Sequence, residues 1–350
     1  MNSRDIIIAG AGIIGVSLSL ELRERGAKVL VLDRGAPGQE ASSAAAGMLA
    51  AGGFETPPAL QPLALESARI FPEYVRKLER LSGMETDFRR QGTIVLGEET
   101  APPGCARLSV EELRHQEPHL QTLSQPAFFM QEDSVDPRLL MQAALLAAKN
   151  SGMEIRANTE VKEIRSRGNQ IEVLTNTGVF TTAQAVNCLG AWAGAPVRPR
   201  KGQMLYLEPE RKDLLQHVVH APEVYIVPRS TGKILVGATV EDVGFDKTVT
   251  PSTIHGLLEA AAQYLPELAS APVTESWAGL RPGTPDDLPI LGPTDTPGVF
   301  IAGGHFRNGI LLAPVTARVM AEVIAGKTPA FDLSAFTLAR FHKEHEKVRR

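Results

Sequence analysis

The stretch from Ile6 to Asp33 constrains this chain more than any other. Ile6-Ile7-Ile8-Ala9 is short, mostly β-branched and apolar throughout, the pattern of a strand buried on both faces of a parallel sheet. Gly10-Ala11-Gly12-Ile13-Ile14-Gly15 follows with GxGxxG spacing. Ile14, Leu18 and Leu22 then recur at one helical face, predicting a helix that ends near Gly26. Lys28 to Leu32 reads as the next strand, with Asp33 at its end. In such a unit Gly10 permits the tight turn, Gly12 lets a pyrophosphate approach the backbone, and Gly15 lets the helix sit close to the strand. The helix N-terminus offers free N–H groups to the phosphates. Asp33 stands where an acidic side chain accepts hydrogen bonds from an adenosine ribose. An acid there argues against a 2′-phosphate, although the adjacent Arg34 leaves NADP open.

Two later segments bear on which dinucleotide is bound. Ala41-Ser42-Ser43-Ala44-Ala45-Ala46-Gly47-Met48-Leu49-Ala50 reads either as an alanine-rich helix or linker, or as a stretch whose small side chains let backbone approach a large planar ligand, with Ser42 and Ser43 as phosphate donors. Val299-Phe300-Ile301-Ala302 reads as a strand, Gly303-Gly304 as a turn, and a helix is expected from near Gly309 toward Ala325. A second helix N-terminus aimed at one cofactor suits a ring that becomes anionic on reduction, as a flavin does and a nicotinamide does not.

The wording of several blocks is more specific. They are Ala44 to Leu49, Tyr225-Ile226-Val227-Pro228-Arg229, Val236-Gly237-Ala238-Thr239, Trp277-Ala278-Gly279-Leu280-Arg281-Pro282-Gly283-Thr284, and Gly304-His305-Phe306-Arg307-Asn308-Gly309-Ile310-Leu311-Leu312-Ala313-Pro314. In this order, from about Asp5 to Ile324, the chain resembles the D-amino-acid oxidase family of FAD enzymes, and within it the glycine oxidases of thiamine biosynthesis. The resemblance implies an α/β plus α+β fold: a Rossmann-like FAD-binding unit of the p-hydroxybenzoate-hydroxylase type, interleaved with a mostly antiparallel substrate unit. Expected boundaries are 1–84, 134–199 and 278–350 for the first, and 85–133 and 200–277 for the second. The resemblance assigns to FAD Gly10, Gly12, Ile13, Ile14, Gly15, Asp33, Arg34, Ala41, Ser42, Ser43, Ala46, Gly47, Met48, Val161 (against the adenine), and the run Gly303, Gly304, His305, Phe306, Arg307, Asn308, Gly309, Ile310 and Leu311. The segment Trp277 to Leu312 lacks a cysteine, where sarcosine oxidases attach their flavin, so the FAD is expected to be non-covalent.

Coarse patterning fits that architecture. Pro137 to Ser151 reads as an amphipathic helix, Glu154 to Glu163 and Ile171 to Leu174 as strands, and Ala185 to Gly190 as a buried strand. Gln203 to Glu208 alternates, and Val224–Val227 is expected to pair with Ile234–Gly237.

The chemistry needs few side chains. Amine oxidation by a flavin moves a hydride from the substrate Cα to N5, leaving the protein to orient and stabilise. The carboxylate of a small amino acid is best matched by a bidentate arginine. Arg281 is the candidate; Gly279, Pro282 and Gly283 beside it favour a fixed turn. A tyrosine in a strand more often packs than functions; it is the resemblance that makes Tyr225 a second candidate for the carboxylate and places Arg307 near substrate and flavin. No acid–base residue is required, and the resemblance implies that His305 contacts the flavin instead. Val240 stands where relatives often carry a larger side chain, which leaves substrate size open.

Charge and cysteine content exclude other classes. Lys and Arg number 36 against 40 Asp and Glu, for a net charge of −4, and only the end from His342 to Arg350 is mildly basic. That balance recruits neither nucleic acid nor an anionic membrane. Ile6 to Leu20 is too short, and too rich in glycine, for a spanning helix, and it makes a poor signal sequence. Cys105 and Cys188 provide no disulfide framework or metal motif, which points to a reducing cytoplasm. The expected activity is oxidative deamination of glycine, sarcosine or a small D-amino acid, with O2 as acceptor and H2O2 as product. The alternatives are a dehydrogenase passing electrons to a quinone or carrier, and a flavin-binding accessory module of RNA modification. Oligomeric state is left open.

Overall fold

A computed structural model describes residues 5–52, 56–121 and 125–341. The basic end from His342 lies outside them. Ile6–Ala9 is central in a six-stranded sheet whose order is Ile290–Pro293, Val299–Gly303, Gln184–Asn187, Ile6–Ala9, Val29–Leu32 and Glu154–Arg156. All neighbours run parallel except the edge pair Ile290–Pro293 with Val299–Gly303. Alternating side chains of the buried strands serve two cores. Ile6, Ile8 and Val31 pack with helices Ile13–Glu24, Gln61–Ser82, Pro137–Asn150 and Gly309–Ile324. Ile7, Leu30 and Leu32 pack on the other face against Ile171 and Val173 of a small sheet formed by Val161–Arg167, Gln170–Thr175 and Gly178–Thr182. Two covered faces are the reason the strands read as unbroken apolar runs.

An eight-stranded sheet runs Val273–Gly283, Arg198–Leu207, Ile234–Gly237, Tyr225–Pro228, Val218–His220, Thr93–Leu96, Ala127–Met130 and Ala106–Leu108. It is antiparallel apart from the pair of Val218–His220 with Thr93–Leu96. One face packs Leu205, Ile226 and Val236 against Leu257, Ala261 and Tyr264 of helix Pro251–Tyr264. The other packs Met204, Tyr206 and Val227 against Ala46 and Met48.

Three local expectations change. Gln203 to Glu208 does not alternate in burial: every residue from Lys201 to Leu207 is buried, because both sheet faces are covered. Glu154 to Glu163 splits into Glu154–Arg156 and Val161–Arg167 around Asn158, whose φ of 52° breaks the extended run. Arg281 lies in the long strand Val273–Gly283, not in a turn, and is paired opposite Arg200. The expected pairing of Val224–Val227 with Ile234–Gly237 is present as Tyr225–Pro228 against Ile234–Gly237.

Candidate active site

The glycine turn is shaped by contacts that exclude a side chain. Gly10 has φ +105°, and a Cβ there would lie 2.2 Å from the Cys188 carbonyl oxygen; one on Gly15 would lie 2.0 Å from the Gly10 carbonyl oxygen. The second contact is the close helix–strand approach anticipated for the third glycine. The Asp33 carboxylate accepts the Ala11 N–H at 2.8 Å and the Gly35 N–H at 2.9 Å, tying the turn to the end of Val29–Leu32. Ser42 Oγ accepts the Ile13 N–H at 2.9 Å.

Between this turn and the eight-stranded sheet lies a cavity of about 440 Å³, within the range of small-molecule and cofactor sites. Of the residues named from sequence, Gly12, Ile13, Ile14, Ala41, Ser42, Ala46, Gly47, Met48, Gly303, His305, Phe306, Arg307, Asn308, Gly309 and Ile310 line it, as do Tyr225 and Arg281. Gly10, Gly15, Asp33, Arg34, Ser43, Val161, Gly304 and Leu311 are not part of its wall. Ser43 donates to the Gly38 carbonyl, and Arg34 pairs with Glu40 at 3.0 Å while lying 3.5 Å over the Trp192 ring. Val161 is half-buried at the edge of the small sheet.

The eight-stranded sheet supplies the opposite wall. Arg281 Nη1 donates to the Thr239 carbonyl at 3.0 Å. Its guanidinium lies flat along the neighbouring strand because Gly202 has no side chain: a Cβ there would sit 2.2 Å from Nη1. Gly237 plays the same part for Tyr225, since a Cβ there would meet the Tyr225 ring at 2.8 Å and Met204 Cγ at 2.7 Å. Tyr225 Oη donates to Met204 Sδ at 3.4 Å. Arg307 is exposed and its guanidinium carbon lies 5.0 Å from the Phe306 ring centroid.

Sequence reasoning missed Thr93, Glu132, His220 and Glu223, which also line the cavity. Burial pushes the Glu132 carboxyl up to about 7. No motif marks these residues; Thr93 and His220 reach the cavity from paired strands, and Glu132 and Glu223 from the connections at the strand ends. Cys188 lines the cavity too, and burial pushes its thiol up to about 12, so it stays protonated.

His305 is 2 % exposed, and its Nε2 lies 3.1 Å from Thr316 Oγ1. Burial pushes its pKa down to about 3, so the ring is neutral at any working pH. The unfolded chain takes up a proton below about 6.5 that the folded chain refuses. Stability from this site is therefore complete above that pH and is lost on acidification. Urea unfolding near pH 7 and near pH 5 will show the wild-type protein losing about 2 kcal/mol more than His305→Asn on acidification. Equal losses would mean that His305 is protonated in the folded state.

The residues fit FAD. From Ala41 to Ala46 the side chains on the wall are methyls apart from the Ser42 hydroxymethyl, and Gly12 carries none, so backbone is open to a large planar ligand. Two helix N-termini, at Ile13 and Gly309, border the same cavity, and each favours an anionic group.

Comparison with known proteins agrees with this geometry. The family model described as "FAD dependent oxidoreductase" (DAO) matches residues 5–323. The bifunctional protein ThiO/ThiG of Trichormus variabilis is 37% identical over 364 residues, covering 98% of this chain and 56% of that protein. The chain thus spans about half the length of that relative. The glycine oxidase of Geobacillus kaustophilus is 35% identical, covering 96% of this chain and 97% of the enzyme. The crystal structure of glycine oxidase from the same organism superposes with a TM-score of 0.92, at 34% identity, over 97% of this chain and 99% of that one. The chain belongs to the DAO family of FAD-dependent oxidoreductases.

Proposed function

We propose that this chain oxidises glycine, sarcosine or a similarly small amino acid, and that the product from glycine feeds thiazole formation in thiamine biosynthesis. The observation that carries the reading is the meeting of Arg281 and Tyr225 with the glycine turn and the His305–Ile310 segment on one cavity. The similarity to ThiO/ThiG and to glycine oxidase supports the substrate class.

In this reading Arg281 takes the substrate carboxylate, with one of its N–H groups spent on Thr239 to fix the guanidinium plane. Tyr225 turns its O–H from Met204 Sδ to the same carboxylate, and Met204 and Val240 bound the space left for a side chain. Gly12, Ser42 and the helix N-terminus at Ile13 hold the pyrophosphate, while Ala46 to Met48 and Gly303 to Ile310 hold the flavin. Bound FAD supplies a two-electron sink for the Cα hydride, with O2 as final acceptor and H2O2 as its product. A neutral amine needs no base, and His305, whose pKa burial pushes down to about 3, would be a weak one. The substrate imine adds water and falls to a 2-oxo acid and ammonia, or methylamine where the substrate is sarcosine. The reducing cytoplasm is the proposed compartment, on the strength of two unpaired cysteines.

Anaerobic mixing with glycine, sarcosine, D-alanine, D-proline and larger D-amino acids tests the reading. Glycine or sarcosine should bleach the visible flavin absorbance fastest, and admitted oxygen should restore it with one peroxide per turnover. Failure of every small amino acid to bleach would overturn the substrate class. Bleaching without peroxide would instead make the protein a dehydrogenase.

A further inference from the structure

Arg229 follows the strand Tyr225–Pro228 and is only 5 % exposed. Its guanidinium reaches across to the segment that walls the cavity. Nη2 donates to the Ala46 carbonyl at 2.6 Å, Nη1 to the Val135 carbonyl at 3.2 Å, and Nε to Tyr206 Oη at 3.3 Å. Asp136 Oδ2 lies 3.7 Å from Nε. Two residues earlier in the same segment, the Ala44 carbonyl accepts Trp277 Nε1–H at 3.1 Å. Both donors belong to the eight-stranded sheet side, and both acceptors to the small-residue run Ala41–Met48.

Burying a charge merely to glue two surfaces is inefficient, because desolvation offsets the attraction and an apolar side chain of equal volume packs as well. What an arginine provides that an apolar residue cannot is donors in several fixed directions. A peptide unit is planar and trans, so holding its carbonyl also sets the opposite direction of the next residue's N–H. Pinning the carbonyls of Ala44 and Ala46 therefore orients the peptide groups that end in the N–H of Ala45 and of Gly47, all on the cavity wall.

We propose that Arg229, assisted by Trp277, is a positioning residue through which the eight-stranded sheet sets the backbone of the FAD cradle. This rests on the flavin assignment of the cavity, and not on which amino acid is oxidised. A misoriented cradle lowers cofactor affinity and changes the surroundings of the ring, whereas a purely structural contact changes stability alone.

The test titrates FAD into the apo form of the full chain with no amino acid present. Arg229→Met keeps length but no donor; Arg229→Lys keeps charge but not the fork. Arg229→Met should raise the FAD Kd about tenfold or more, shift the flavin midpoint potential and alter the visible spectrum, with Arg229→Lys between it and wild type. A Kd within about twofold of wild type, with unchanged spectrum and potential, would overturn the proposal. If Arg229→Met does not fold, Trp277→Phe decides, since it keeps the ring and removes one donor. It should raise the Kd about threefold with a changed spectrum, and an unchanged Kd and spectrum would sink the idea. Because no substrate enters the assay, a wrong choice of amino acid leaves these results untouched.

Discussion

Replacing Arg281 with methionine will raise KM for the small amino-acid substrate by two to three orders of magnitude while FAD stays bound. On the proposed reading the reason is the loss of the guanidinium that grips the substrate carboxylate through two parallel N–H···O bonds. A charge-assisted bidentate pair in a partly closed site is worth about 3–4 kcal/mol. Arg281 is half-buried on the cavity wall, in strand Val273–Gly283 and away from the glycine turn, so its loss leaves that end of the cradle intact. Thr239 is only half-buried, so its vacated carbonyl can take water in place of Nη1. Arg281→Lys should recover part of the affinity, because an ammonium supplies the charge but not the fork. Steady-state kinetics together with the flavin-to-protein absorbance ratio separate the two effects. An unchanged KM removes Arg281 from substrate binding; lost flavin with a wild-type KM for the remaining holoenzyme reassigns it to the cofactor.

Gly10→Ala should be the most damaging single change at the dinucleotide end. Two costs combine there. The backbone sits at φ +105°, where an L side chain is strained, and the new Cβ would be 2.2 Å from the Cys188 carbonyl oxygen. That contact is backbone on backbone between neighbouring strands of the central sheet, so neither side can yield without disturbing the pairing of Ile6–Ala9 with Gln184–Asn187. The expected loss is about 4 kcal/mol or more, with FAD binding abolished. Gly26→Ala is the control: φ is +90° and nothing lies within 4 Å of its Cβ, so strain alone remains, about 1–2 kcal/mol. Denaturant midpoints and FAD content of the two variants test the difference. Equal losses would mean that the turn is free to move.

How far the site was legible depended on how its parts lie along the chain. The strand, glycine turn and helix from Ile6 to Glu24 were readable because each signal is local: a β-branched run, glycines at fixed spacing, then apolar residues at helical spacing. The helix Gly309–Ile324 was readable for the same reason. The two walls were not. Tyr225 and Arg281 were singled out by motif and resemblance, yet what places them is the absence of side chains at Gly237 and Gly202 on adjoining strands. Arg281 was expected in a turn because glycine and proline surround it; pairing with Arg198–Leu207 overrode that local preference.

Glu132, His220 and Thr93 carry no sequence signal at all, since strands of the eight-stranded sheet and the connection after Ala127–Met130 bring them to the cavity from distant parts of the chain. Arg229 and Trp277 fall in blocks that carry the family resemblance, but nothing in those blocks points to their acceptors Ala46 and Ala44, which lie 183 and 233 residues away along the chain.

By itself, then, the amino-acid sequence determined the dinucleotide-binding unit, the family and the kind of cofactor, because those rest on short-range patterns that few other folds can satisfy. Only the tertiary structure decided which polar groups face the cavity, which carbonyls are pinned, and that burial holds the His305 pKa far below its usual value. Those properties follow from strand order, burial and close approach between distant segments, and no spacing along the chain encodes them.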